Sequence, residues 1–156
     1  MRIRPRHLAT LTRTVLLFVA ASLAPAFLAS AASAAERYSV VVNTDSKLKS
    51  ISRDALSRIY LGKLTLWESS GTRVAPAMPD ESSVLGQAFL EDATKKTVDQ
   101  YRNYWKRQLF SGGGTPPKVY KRPSEVVDYV ARNPGGIGIV EVGATDPRVR
   151  VIEVTN

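Results

Sequence analysis

Two carboxylates and two hydroxyls stand side by side at Asp80, Glu81, Ser82 and Ser83, here named the Asp80–Ser83 turn. A strand-like run precedes the turn at 73–78. After it comes an apolar pattern of helical spacing, made by Val84, Leu85, Ala88 and Phe89. This order predicts a tight turn into a helix whose first backbone N–H groups are free, an arrangement that holds oxyanions. The sequence therefore predicts an oxyanion site at Asp80, Ser82 and Ser83.

A purely structural interpretation of the same turn remains open. Ser82 or Ser83 is a suitable N-cap for the helix, and the two acidic residues would favour its dipole without any ligand. Ligand contact and simple capping are thus two hypotheses for the same residues.

Several classes of catalysis are excluded by composition. The chain has no cysteine, and its one histidine, His7, lies in the N-terminal segment. Histidine-based acid–base catalysis, Ser-His-Asp or Cys-His nucleophiles and His/Cys zinc sites are therefore excluded for the rest of the chain. The adjacent carboxylates of Asp80 and Glu81 lack the separation that paired acid–base chemistry needs. We expect no enzyme activity, no cofactor and no metal site.

The first 35 residues have the features of a secretory signal peptide. Four arginines and no acidic residue precede an apolar stretch at 15–24, and Ser33–Ala35 resembles a cleavage site. An uncleaved anchor is an alternative, whereas a lipoprotein would need a cysteine. We expect an exported, periplasmic protein whose residues 36–156 form one domain, with no membrane span once the signal is removed.

The basic character of the chain depends partly on this segment. The whole chain has 22 basic and 14 acidic residues and a formal net charge of +8; without the four signal arginines the charge is +4. That charge weakly supports an acidic partner. Nucleic acid is not an expected partner, because an exported protein rarely meets it. The aromatic and basic helix predicted at 98–110 suits an acidic partner or a membrane surface, but its spacing is more typical of a helix with one core face.

Hydrophobic periodicity predicts the order β-α-β-α-α-β-α-β-β, which is typical of an α/β protein. Ser52 is the expected cap of the first helix and Gly62 its expected stop. The glycine-rich segment at 111–117 is predicted to be a connector. The predicted inner face of the third helix consists of Val98, Tyr101, Trp105 and Leu109. The strands are expected at 38–43, 73–78, 119–120, 137–140 and 149–154, and the helices at 51–60, 84–90, 98–110 and 123–132.

Three stretches carry a resemblance to a known family: 51–63 followed by Trp67, the Asp80–Ser83 turn followed by Phe89, and Asn133–Val140. In order and spacing they are similar to three segments of the phosphate-type periplasmic substrate-binding proteins. Those segments are the Leu-Ser…Ile-Phe-Leu-Gly-Lys…Trp segment, the Asp-Gly-Ser-Gly-Thr turn and the Asn-Pro-Gly-Ala-Ile-Gly-Tyr-Val signature. The resemblance implies an α/β fold, a single three-layer domain like the second lobe of a type II periplasmic binding protein.

The resemblance also implies a function. In the family the serine-rich turn binds phosphate, and Asp80 and Ser82 match it by position. Glu81 and Ser83 stand in place of glycines, and Ala77 or Met78 stands in place of an upstream arginine. The expected function is weak binding of phosphate or a similar oxyanion at a helix N-terminus, linked to phosphate ABC transport. A homodimer or a cell-envelope protein would supply the second lobe. The alternative is a ligand-free interaction module of the cell envelope that retains the fold.

Overall fold

The computed structural model describes residues 37–144 and 146–156, so the predicted signal peptide lies outside the described residues. Within these ranges, none of the helices has both the length and the apolar character needed to cross a bilayer. The strands are β1 Ser39–Asn43, β2 Ser50–Ser52, β3 Ala75–Pro79, β4 Lys118–Tyr120, β5 Gly136–Val140 and β6 Val149–Thr155. The helices are α1 Arg53–Tyr60, α2 Val84–Phe89, α3 Val98–Phe110 and α4 Pro123–Arg132, and a π-helical turn, Leu90–Thr94, follows α2.

The six strands form one mixed sheet in the order β2-β6-β1-β5-β3-β4. Strand β1 is antiparallel to both β5 and β6, while β2 is parallel to β6 and β3 is parallel to both β4 and β5. Five strands therefore run in one direction and β1 runs against them. The helices α1, α2 and α4 begin just after β2, β3 and β4, so all three helix N-termini lie at the carboxyl edge of the sheet. Loops at this edge are where open α/β sheets bind ligands.

Alternating side chains divide the core between the two faces of the sheet. Val41 and Ala77 pack with the valines of α4 on one face. Val40, Val42 and Met78 pack with residues of α1, α2 and α3 on the other. A Cβ on Gly138 would come within 2.8 Å of Val126 and 2.7 Å of Val130, so glycine lets α4 approach β5 closely. The prediction of an α/β fold with helices on both faces of a sheet is confirmed.

Buried tyrosines fasten α1 to the sheet and α3 to α1. The hydroxyl of Tyr60 donates to the carbonyl oxygen of Ala77 at 2.8 Å, and that of Tyr101 donates to the carbonyl oxygen of Tyr60 at 2.9 Å. The ring of Tyr60 meets Phe89 edge to face at 4.6 Å between centroids. These contacts place α2, which follows the Asp80–Ser83 turn, on a rigid support.

Local predictions were mostly confirmed, with three corrections. Ser52 caps α1 as expected, but Ile51 belongs to the short strand β2, so α1 starts at Arg53. The first part of the predicted polar joint at 92–97 is a π-helical turn. Leu109, predicted to face the core, is 56% exposed, and Tyr104 contributes to the core instead.

Candidate functional site

The Asp80–Ser83 turn connects the carboxyl end of β3 to the start of α2, and internal hydrogen bonds define its shape. A carboxylate oxygen of Asp80 accepts from the backbone N–H of Ser82 at 2.8 Å. The hydroxyl of Ser83 accepts from the N–H of Gly86 at 3.0 Å and donates to the carbonyl oxygen of Asp80 at 2.6 Å. Ser83 is therefore the N-cap of α2, which bears out the capping interpretation for this residue.

Gly86 permits the close packing of α2 on the turn. A Cβ at this position would lie 2.1 Å from the carbonyl oxygen of Asp80. Any side chain here would push the helix away from the turn, because the obstacle is backbone.

Ser82 points outward and meets an arginine from a different helix. Its side chain is exposed, and its hydroxyl oxygen accepts from Nη2 of Arg102 at 2.9 Å. The Nε of the same guanidinium donates to a carboxylate oxygen of Glu81 at 2.6 Å. The side-chain amide of Gln87 donates to the carbonyl oxygen of Ser82 at 2.8 Å. The turn thus carries a cation, supplied by α3.

The charges around the turn are mostly negative. The hydrogen bond to Glu81 raises the pKa of Arg102, and the nearby carboxylates of Glu81, Asp99 and Asp80 act in the same direction. Three carboxylates therefore act on one guanidinium, and Glu81 is in direct contact with it. An anion that binds here must compete with Glu81 for Arg102, which weakens its affinity.

Arg102 was not identified from sequence as part of the site. It follows the turn by about 20 residues, and helical periodicity indicates only that it is off the core face of α3. Two other arginines of the chain, Arg53 and Arg73, have different surroundings. Arg53 forms an ion pair with Asp92, and Arg73 lines a groove at the amino ends of β3 and β5.

That groove is a separate feature with a volume of about 570 Å³. Besides Arg73 it is lined by Lys118, Tyr129 and Pro134, and no residue of the Asp80–Ser83 turn lines it. In the part of the chain that the structure describes, no three His, Cys, Asp or Glu side chains are grouped so that they could hold a metal ion.

Comparison with known proteins gave structural matches only. No family model and no curated protein sequence matches the chain. Among solved structures, an ABC-type phosphate transport receptor from Vibrio cholerae is 18% identical with a TM-score of 0.52, over 76% of this chain and 46% of that one. A possible phosphate binding protein from Planctomyces limnophilus is 12% identical with a TM-score of 0.60, over 77% and 42%. PstS from Borrelia burgdorferi is 16% identical with a TM-score of 0.52, over 77% and 47%.

These matches show a shared fold. Each covers less than half of the matched structure's own length. The chain therefore has the mixed α/β fold of one lobe of the PstS-like periplasmic binding proteins.

Proposed function

We propose that the protein is an exported, periplasmic solute-binding-type domain that weakly binds phosphate or a similar oxyanion at the Asp80–Ser83 turn. The contact of Arg102 with Ser82 carries this proposal, because it places a guanidinium and a hydroxyl 2.9 Å apart at an exposed point. Guanidinium and hydroxyl groups are standard donors to oxyanions. The names of the structural neighbours support phosphate as the first ligand to test.

Each turn residue has a distinct role in this proposal. The hydroxyl of Ser82 and the guanidinium of Arg102 donate to the anion. One carboxylate oxygen of Asp80 accepts a hydrogen bond from the N–H of Ser82. The other accepts a hydrogen bond from a protonated oxygen of the anion. This favours phosphate over sulfate, because phosphate carries a proton at neutral pH and sulfate does not. Ser83 maintains the turn through its bonds to Asp80 and Gly86. The role is recognition, not catalysis.

The domain covers less than half of the two-lobed structures it matches, so one lobe alone leaves the anion in contact with water. A second copy of the chain or a cell-envelope protein supplies the other side of the cleft, and phosphate ABC transport is the process to which the domain is linked. Neither a cofactor nor a metal ion takes part.

A second candidate function is a ligand-free interaction module of the cell envelope. The observation that favours it is the excess of carboxylates near Arg102, because Asp80 and Glu81 of the turn and Asp99 of α3 all act on this residue. In this alternative the pair between Arg102 and Glu81 is structural, and the turn is a packing element.

Thermal unfolding of the exported protein in millimolar phosphate or sulfate, at matched ionic strength, tests the proposal. A ligand at ten times its dissociation constant stabilises the folded state by about 1.4 kcal/mol, which corresponds to a shift of several degrees. We expect phosphate to raise the midpoint, Ser82→Ala and Arg102→Gln to abolish the shift, and Glu81→Gln to increase it by releasing Arg102.

Arg58→Gln is the matched control, because it removes the same charge from an exposed position of another helix. It should leave the phosphate shift unchanged. If no anion moves the midpoint even in Glu81→Gln, the oxyanion site is refuted and the interaction module becomes the better hypothesis.

A further inference from the structure

The end of α3 exposes two large apolar side chains. Phe110 is 94% exposed and Leu109 is 56% exposed. The buried residues of α3 are Tyr101 and Trp105, and the two exposed apolar residues follow them in the last turn of the helix. Leaving a phenylalanine in water forfeits the favourable free energy of burying an aromatic ring, and such exposure marks an interaction site when other features agree.

The charges next to these side chains are all positive. Lys106 and Arg107 are exposed and precede Phe110 by four and three residues, which places them on the same helical face. In the sequence, no acidic residue occurs between Asp99 and Glu125. We name Lys106, Arg107, Leu109 and Phe110 the α3 tip.

The backbone after the helix leaves the α3 tip accessible. Residues 111–115 are exposed, and Gly112 and Gly114 adopt positive φ values of 72° and 120°. The space around both glycines is open. The segment that follows the tip is therefore exposed and begins with small residues.

We propose that the α3 tip docks the protein reversibly on an anionic lipid surface. Phe110 and Leu109 enter the headgroup region while Lys106 and Arg107 pair with lipid phosphates. A protein partner would need about 800 Å² on each side, far more than two projecting side chains offer, whereas interfacial lipid binding needs only a small apolar area flanked by cations. This inference does not depend on oxyanion binding at the Asp80–Ser83 turn.

The test is co-sedimentation of the exported protein with vesicles of equal parts phosphatidylglycerol and phosphatidylcholine, compared with phosphatidylcholine alone. We expect binding to the anionic vesicles that weakens as salt is added. Phe110→Ser and the double variant Lys106→Gln/Arg107→Gln should each lower the partition coefficient at least about tenfold.

Two controls distinguish binding by the α3 tip from non-specific binding of the protein to vesicles. Val84→Ser removes another highly exposed apolar side chain, 88% exposed at the start of α2. Lys47→Gln/Lys49→Gln removes two exposed charges elsewhere in the chain. All variants share the same N-terminus, so any contribution from it cancels, and circular dichroism checks that each is folded.

The sedimentation results either support or overturn lipid docking by the α3 tip. It is supported if only the tip variants lose binding to anionic vesicles. It is overturned if the wild-type protein binds neither vesicle at low salt, or if tip and control variants bind equally. It is also overturned if Phe110→Ser changes the oligomeric mass and leaves vesicle binding intact, because the tip is then a protein contact.

Discussion

At the scale of single residues, Asp92 holds together three parts of the chain. Its carboxylate accepts a hydrogen bond from the hydroxyl of Tyr38 at 2.6 Å and forms an ion pair with Arg53. The side chains of Arg53 and Asp92 are only 20% and 13% exposed. The cluster joins the residue before β1, the first residue of α1 and the π-helical turn, where screening by water is limited.

Replacing Asp92 with asparagine should therefore destabilise the fold. Asparagine keeps the shape and can still accept from Tyr38, but it leaves the guanidinium of Arg53 without a counter-charge. We expect a loss of roughly 2 kcal/mol in the free energy of unfolding, measured by urea denaturation. Glu91→Gln, the same charge change at an exposed neighbour, is the control and should cost under about 0.5 kcal/mol. Equal losses in the two variants would contradict a specific role for the cluster.

The residues of the candidate site were predictable only where their interactions are local. Ser83 caps α2 through a bond to Gly86, three residues away, and this spacing is visible in the sequence. Arg102 reaches Ser82 from another helix, and nothing in either segment specifies that pairing. The ion pair of Arg53 with Asp92 spans 39 residues and was missed for the same reason.

At the scale of elements, capping residues predicted the helix boundaries, but the sequence pattern did not predict the shortest elements. Strand β2 has three residues and exists because it pairs with β6, about 100 residues later. A pattern that short has no periodicity of its own, so the sequence indicated a helix start there. Leu109 has helical spacing but is mostly exposed, and periodicity cannot reveal where along a helix the core contacts end.

The contact between α1 and α3 offers a test of element packing. Gly62, at the end of α1, has φ +70°, and a Cβ there would lie 2.7 Å from the ring of Trp105. Gly62→Ala introduces both backbone strain, from the positive φ, and a steric clash with Trp105. Gly71→Ala, at φ +66° with open space around it, introduces only the backbone strain. We expect a loss of about 1 kcal/mol for Gly71→Ala and at least 2 kcal/mol for Gly62→Ala.

Thermal unfolding and near-ultraviolet circular dichroism would measure this difference. Only Gly62→Ala should alter the near-ultraviolet signal, because only this variant moves Trp105. Identical destabilisation of the two variants, with unchanged spectra, would mean that α1 and α3 are not tightly packed at this point.

At the scale of the whole molecule, the three N-termini of α1, α2 and α4 form one edge of a single lobe. In this arrangement the Asp80–Ser83 turn projects from the carboxyl end of β3 with no second lobe from this chain among the described residues. Under the proposed function, an anion at this turn would remain hydrated, and its affinity would depend on what faces that edge. Tight binding would therefore require assembly, whereas weak binding would not.

The buried tyrosines make the stability of the whole molecule fall at alkaline pH. Burial raises the pKa of Tyr38, Tyr60 and Tyr101 above the ordinary value near 10, and the hydrogen bond to Asp92 adds to the effect at Tyr38. The unfolded chain then loses these protons at a lower pH than the folded protein does. Their contribution to stability is complete below about pH 10 and is lost as the pH rises above it.

Urea denaturation between pH 8 and 11 should show this loss, at roughly 1 kcal/mol per pH unit for each of the three tyrosines above pH 10. The chain has six tyrosines, so absorbance at 295 nm of the folded protein at pH 11 should reach at most half of the value for the unfolded chain. Tyr101→Phe removes the hydroxyl bound to the carbonyl of Tyr60 and should reduce the alkaline slope by about a third. If all six tyrosines of the folded protein ionise near pH 10, the hydroxyls are not buried, and the tyrosine bonds cannot be what fastens α1 to the sheet and α3 to α1.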